Sequence, residues 1–461
     1  MSQRYLGGII TANPTAPTTA SASGVWTLEQ QFQYSQTIQP EKIGNSLRFR
    51  ASASAYLNRT FGTPTNNIKW TWSCWMKRGT LSGYQRIFGV GSDASGVNQG
   101  SFYIDTAGYL SFFQGNGAGS TEIALYSSAT YRDPSAWYHI VFVYDSGNAT
   151  SSNRILMYVN GVQITSYQSA TYPSLNLASK INAASVAHAI ATLPTSSSNF
   201  FDGYMAETYF VDGQALTPSS FGAFDSTGVW QPLTYTGTYG TNGFYLDYGN
   251  TTSTTTLGYD TSGNGNNWTT NNFSLTAGVT YDAMIDSPSN YADGGNGRGN
   301  YAVLNPLETS SITKPVDGNL NYSPSATSPQ VSITTIGMPS SGKWYAEFTK
   351  GSATTSWAAG IIGTGRTDTY TGSTNSIGYF DGGQIYKDGS LVQSSLATMA
   401  NGDVLGIAVD AGAQTVQFYK NGSSIGTAVS YTYSQVWFAC GNYVSGLVFN
   451  ANFGQRPFSY T

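Results

Sequence analysis

Most of this chain is written in short apolar–polar alternations that stop at Asn-Gly, Asp-Gly or single glycines, and such punctuation specifies antiparallel sheet. Residues 155–163, ILMYVNGVQ, show the device in its simplest form: an alternating run, Asn160-Gly161, and a second alternating run. A type I′ turn needs positive φ at both central residues, which Asn and Gly adopt readily, and its twist matches that of paired strands. Similar runs fill residues 47–230 (RFRASASAYLNRTF, KWTWSCWMKRG, WYHIVFVYDSG) and 340–458 (GKWYAEFTK, GDVLGIAVDAG, TVQFYKNGSSIG). The two regions echo each other. Tyr144-Asp145-Ser146-Gly147 precedes Tyr158-Val159-Asn160-Gly161-Val162-Gln163-Ile164, and Val409-Asp410-Ala411-Gly412 precedes Tyr419-Lys420-Asn421-Gly422-Ser423-Ser424-Ile425. One meander used by two sandwiches accounts for the repeat.

The 461 residues suit two or three domains. The expected fold is all-β: two jelly-roll sandwiches joined by a turn-rich connector, with a short N-terminal arm. Thirty-three tyrosines, 22 phenylalanines and 53 glycines against 10% charged residues support folded sheet, since a long disordered chain would carry more charge and fewer aromatics. Residues 1–40, Pro/Ser/Thr/Ala-rich over 11–24, read either as an ordered linker lying on the first domain or as an attachment arm; residues 41–232 read as the first sandwich, 233–339 as a connector with some strands of its own, and 340–461 as the second sandwich. Within the first, residues 169–199, which include His188, are expected to be a loop, and FDGYMAETYFVDGQALT to close the domain with two Asp-Gly turns.

The net charge of −4, with no run of Lys and Arg, argues against nucleic acid as a partner. No apolar run approaches the roughly 18–20 residues of a membrane-spanning helix. The opening MSQRYLGGIITANPT has too short an apolar patch for a signal-peptide core, so ordinary secretion is not expected. Cys74 and Cys440 fall in different sandwiches, which leaves no disulfide framework and no cysteine zinc site; both are expected as buried small apolar groups.

Catalytic constellations are sparse. Of the six glutamates, Glu29, Glu41, Glu122, Glu207, Glu308 and Glu347, no two fall within four residues, as the paired carboxyls of a glycosidase on one strand would. Pairs from distant strands stay open. His139 and His188 are the only histidines, and His139 sits in an alternating run as a structural residue would. There is no Gly-x-Ser-x-Gly elbow or phosphate loop. No catalytic residue and no cofactor are therefore assigned. One possible calcium turn remains, with oxygens from Asp260, Ser262, Asn264 and Asn266; the same residues form Asx turns without an ion. Sugars are held by aromatic faces plus amide, carboxylate and backbone hydrogen bonds. The loop tyrosines Tyr84, Tyr131, Tyr167, Tyr172, Tyr370 and Tyr443 are the glycan-binding candidates.

Trp137–Asp145, Met157–Gly161 and Phe201–Glu207 resemble the laminin-G-like, concanavalin A-type lectin/glucanase fold. Gly342–Phe348, Gly402–Asp410, Phe418–Gly422 and the closing Asn452–Gln455 resemble a SPRY domain, itself a concanavalin-like sandwich. The glucanase signature Glu-x-Asp-x-x-Glu is absent. Leu6–Thr11, with Asn242–Leu246 and Asp260–Trp268, resembles virion proteins of tailed phages, marine ones especially. That resemblance implies a virion structural protein on the outer surface of the particle: a tail-fibre-type adhesin for host-surface glycans, docked to other virion proteins through the arm, and a homo-oligomer, with a trimer favoured. The alternatives are a capsid- or tail-decorating protein without a glycan ligand, and a glycoside hydrolase.

Overall fold

The computed structural model describes residues 41–91, 99–116, 119–196, 198–291, 297–307, 313–325, 330–352, 356–365, 371–441 and 445–460. The arm, Tyr370 and Tyr443 lie outside them.

The regular structure of the described chain is almost all strand, folded as two β-sandwiches. One sheet of the first runs in the order Val162–Gln163, Ile155–Val159, Trp137–Asp145, Lys69–Arg78, Gly203–Asp212, Ser46–Phe49, Ala283–Met284, with Phe244–Leu246 also paired to Gly203–Asp212. The other runs Tyr167–Thr171, Thr121–Thr130, Tyr109–Gly115, Gly100–Ile104, Gln85–Val90, Ala187–Ile190, Tyr56–Thr60, Thr269–Asn271. Strand alternation sends Trp70, Trp72, Cys74 and Met76 into one core with Phe88, Phe102 and Phe112 of the facing sheet. Phe102 and Phe142 stack across it at 4.1 Å.

The second sandwich pairs Asn321–Tyr322, Phe449–Asn452, Lys343–Lys350, Val404–Asp410, Thr415–Lys420 and Ser423–Ser430 in one sheet. Its other sheet holds Ser332–Ile333, Val436–Cys440, Ala358–Gly363, Ser376–Phe380, Gln384–Lys387 and Ser390–Gln393. Cys74 and Cys440 are both buried thiols, one in each core.

The repeated meander is present in both. Asn160 (φ 49) and Gly161 (φ 77), like Asn421 (φ 48) and Gly422 (φ 81), have the two positive φ values of a type I′ turn. Each Asn also extends the ladder with its side chain. Asn160 Oδ1 accepts from His139 N at 2.8 Å, and Asn421 Oδ1 accepts from Val404 N at 2.8 Å.

Three local expectations fail. The run at 47–60 is two strands in opposite sheets, Ser46–Phe49 and Tyr56–Thr60, linked by a 3-10 turn that ends at Ser54 with φ 55. Residues 169–199 are not only loop: Ala187–Ile190 is an interior strand paired on both sides, and His188 lies in it, fully buried. Its small side chains give a weak local signal, and pairing with two neighbours overrides it. Asp202-Gly203 is a strand entry instead of a turn, because the Asp202 carboxylate accepts from the backbone N–H groups of Asp317 (2.8 Å) and Gly318 (2.7 Å).

The strands of residues 233–339 pair with the two sandwiches. Phe244–Leu246, Thr269–Asn271 and Ala283–Met284 join the first sandwich, while Asn321–Tyr322 and Ser332–Ile333 edge the second. The connector's remaining length covers the outer face of the first sheet, where Trp75, Trp137, Tyr204 and Ala206 meet Met284, Val303 and Leu320. This cover explains why nine of the ten residues of Lys69–Arg78 and all ten of Gly203–Asp212 are buried.

Candidate functional site

Tyr172 leaves the edge strand Tyr167–Thr171 of the first sandwich and is followed by Pro173, which ends the pairing. Beside it is a cavity of about 470 Å³ lined also by Glu122, from Thr121–Thr130, by Ser151 and Arg154, from the link between Trp137–Asp145 and Ile155–Val159, and by Ser174. Both sheets thus contribute to it. Arg154 is a fixed strut: its guanidinium donates to the carbonyls of Asn148 (2.8 Å), Pro173 (3.0 Å) and Ala149 (3.1 Å). Gln114 holds Glu122 by donating to Oε2 at 3.1 Å, and its own Oε1 accepts from Lys180 N at 2.8 Å. Among the described residues, Glu122 Oε1 and the hydroxyls of Tyr172, Ser151 and Ser174 make no hydrogen bond within the chain. A half-buried ring framed by unspent acceptors and donors suits a polyhydroxylated ligand.

The other sequence candidates separate. Tyr131 and Tyr167 pack on the same core as Tyr172. Tyr131 meets Tyr138 edge-on at 5.6 Å, and Tyr167 donates its hydroxyl to Ile164 O at 2.8 Å. Burial, with the nearby phenols of Tyr172, Tyr158 and Tyr131, pushes the Tyr167 pKa up. Tyr84 is 45% exposed and leans on Tyr103. Of the candidates among the described residues, Tyr172 is the one that lines the cavity of about 470 Å³. Glu122 and Arg154 line this cavity without having been singled out from the sequence: each reads as an ordinary residue of an alternating run, and nothing in their spacing marks a site.

In the turn considered for calcium, Asp260 Oδ1 accepts from Tyr245 N and Ser262 N, each at 2.9 Å, and Oδ2 from Ser262 Oγ at 2.9 Å and Asn266 N at 2.7 Å. The Asn264 and Asn266 amides donate to the carbonyls of Gly240, Thr241 and Gly243. A cation there would have to compete with these donors for the Asp260 carboxylate.

Two arrangements bear on catalysis. His139 Nδ1 accepts from Trp230 Nε1 at 3.0 Å, so the ring proton is on Nε2, which faces Ser73 Oγ at 2.8 Å. Nε2 therefore donates to Ser73 and cannot take its proton. Burial lowers the pKa of His139 to about 3. A carboxylate pair also exists, one that the glutamate spacing did not reveal: the Tyr245 hydroxyl donates to Glu207 Oε2 and lies 3.4 Å from Glu41 Oε1. Glu207 occupies a bulge between Ala206 and Tyr209 with φ 51, which turns its side chain outward beside Tyr209. Burial and the neighbouring Glu41 push its pKa well above the usual carboxylate value, and at 3% exposure it is sealed from substrate.

Residues 51–220 match the family model of the concanavalin A-like lectin/glucanases superfamily (Laminin_G_3), and residues 343–456 match the SPRY domain. The chain carries both domains. No curated protein matches it. Similar solved structures include the SPRY domain of human HERC1 (16% identity, TM-score 0.30, covering 33% of this chain and 99% of that one). A SAP-like pentraxin from Limulus polyphemus has 15% identity and TM-score 0.28, with 38% and 79% covered. A Bacteroides ovatus protein described as carbohydrate-binding has 18% identity and TM-score 0.35, with 50% and 59% covered. Glu122, Ser151, Arg154, Tyr172 and Ser174 all fall inside the Laminin_G_3 domain.

Proposed function

We propose that the protein is a non-catalytic glycan-binding protein whose Laminin_G_3 domain takes a saccharide in the cavity beside Tyr172. The observation that supports this is the set of unspent polar groups, Glu122 Oε1 and the Tyr172, Ser151 and Ser174 hydroxyls, around one half-buried ring. The biological setting we propose is the exterior of a tailed-phage particle. There the chain would serve as a tail-fibre-type adhesin, docked to other virion proteins through residues 1–40 and assembled as a trimer. This setting rests on the resemblance of Leu6–Thr11 and of Asn242–Leu246 with Asp260–Trp268 to phage virion proteins.

A glycan array at high avidity tests the binding. Tyr172→Ala and Glu122→Gln should each weaken capture at least ten-fold with the melting temperature unchanged. An empty array would overturn the adhesin and favour the capsid- or tail-decorating role. Repeating the array with a chelator tests for calcium, and the ion is assigned to Asp260 only if Asp260→Asn also abolishes a Ca²⁺ dependence that chelation reveals.

A further inference from the structure

A cavity of about 590 Å³ lies outside the site above, where the connector faces the second sandwich. Its walls come from distant stretches of sequence: Asn290 and residues 298–302 on the connector side, Met338 where the connector ends, and Trp344, Phe438 and Phe453 on the SPRY side. The volume lies in the range of about 300–1,000 Å³ typical of ligand sites, and the mixture of apolar walls with a few polar groups is also typical.

Trp344 is the telling residue. It shares its face of Lys343–Lys350 with Ala346 and Phe348, which are core residues. Its position is thus the last core position of the strand, yet it is 39% exposed, because the two sheets part there and the cavity opens. The indole is held in place by Nε1–H donating to Ser341 O at 3.1 Å. Its face is left as a fixed platform, so binding would spend little entropy in ordering it. On the connector side, Asn290 is exposed and its amide makes no hydrogen bond among the described residues. An aromatic face and an unspent amide lining one cavity offer the chemistry that holds a pyranose: C–H groups on the ring, hydroxyls on the amide.

We propose that this cleft is a second saccharide site, one that takes a neutral oligosaccharide with Trp344 as stacking platform and Asn290 as polar anchor. The ligand class rests on the lectin reading above; the location does not. Because the cleft needs both the connector and the SPRY domain, it ties the connector's packing to binding.

The test uses the full chain and a panel of neutral hexaoses (β-linked glucose, mannose and N-acetylglucosamine), followed by tryptophan fluorescence and calorimetry. A panel member is expected to quench and blue-shift the indole emission. Trp344→Ala should weaken that binding at least ten-fold, Asn290→Ala several-fold, and Trp344→Phe should retain most of it, while Tyr172→Ala leaves it unchanged. Melting curves of the variants confirm folding. Binding lost with Tyr172→Ala but untouched by Trp344→Ala would overturn the cleft and leave the first site standing. Hexaose binding lost with Trp344→Ala, together with array capture untouched by Tyr172→Ala, would overturn the first site and leave the cleft standing. If the wild-type protein binds no member of the panel, the cleft is not a neutral-saccharide site.

Discussion

The two sandwiches use the same meander and the same turn, yet cover their outer faces to different extents. In the first, the central strands are covered on both sides, and the cover traps charge: Lys77 with Asp286, Arg48 and Arg50 with Asp282, and Glu207 beneath Tyr245. In the second, Ser423–Ser430 is mostly exposed, and Leu391 and Val392 of the edge strand stand 52% and 44% exposed. Closing a face over a sheet creates a second core, and every polar group caught there must then find a partner. A face left open has no such requirement and remains accessible to ligands. This difference explains why the first sandwich holds the sealed carboxylate pair, while the second offers a cleft at its open end.

Breaking a trapped pair should have the largest effect. Lys77 Nζ donates to Asp286 Oδ2 at 2.8 Å, to Asn300 Oδ1 at 2.8 Å and to Tyr301 O at 2.6 Å, while Trp137 Nε1 donates to Asp286 Oδ1 at 3.0 Å. Asp286→Ala strands a fully buried ammonium, and such losses cost about 3–5 kcal/mol. The comparable pair of the second sandwich, Lys350–Asp381 at 2.7 Å, is less enclosed, and Met399 O also accepts from Lys350. Asp381→Ala should therefore cost less than Asp286→Ala in urea unfolding. Equal costs would mean that the two faces do not differ as described.

The acid response should also belong to the first sandwich. Burial lowers the pKa of both His139 and His188 to about 3. The unfolded chain takes up these protons as pH falls below about 6.5, whereas the folded chain resists until about 3. Their contribution to stability is thus complete above pH 6.5 and is lost progressively on acidification. Asp202 acts in the opposite sense, because burial raises its pKa to about 6: below that pH the folded state holds a proton that the unfolded state releases down to about 3.8. Its burial penalty therefore grows as pH rises from about 3.8 to 6. His188→Gln should flatten the fall in unfolding free energy between pH 6 and 4 by up to about 1.4 kcal/mol per pH unit, and Asp202→Asn should steepen it. An unchanged slope in His188→Gln would show that this imidazole titrates normally.

Much of the architecture was legible because it is local. Asn160-Gly161 and Asn421-Gly422 announce their hairpins within nine residues, and the alternation of Trp70, Trp72 and Cys74 marks a core face directly. What escaped depends on partners far along the chain. Lys77 and Asp286 are separated by 209 positions, and neither sits in a pattern that points to the other. Ala187–Ile190 is a strand because Phe88–Val90 and Leu57–Thr60 flank it, a fact that its own small side chains do not encode. The cavity was half legible: an aromatic in a loop drew attention to Tyr172, but Glu122 and Arg154 acquire their role only when the edge of one sheet meets a link from the other.

The smallest effect tests the part the sandwiches share. Asn160 and Asn421 each combine a positive φ with a side-chain bond to the neighbouring strand. Replacement by Ala loses that bond, a net of about 1 kcal/mol, and adds the left-handed backbone cost of about 1 kcal/mol. Replacement by Gly loses the bond alone. Asn160→Ala and Asn421→Ala should therefore each cost about 2 kcal/mol, with the Gly variants near half of that, in unfolding of the full chain. The turn glycines should behave less alike. A Cβ on Gly161 would come within 2.4 Å of the Trp230 ring, whereas one on Gly422 would approach Tyr460 at 3.1 Å. Gly161→Ala should accordingly be the more damaging of the two, since Trp230 belongs to the cover over the first sheet and Tyr460 is a partly exposed ring with room to move. Equal costs for the asparagines with unequal costs for the glycines would place the likeness of the sandwiches in the turn and their difference in what is laid over it.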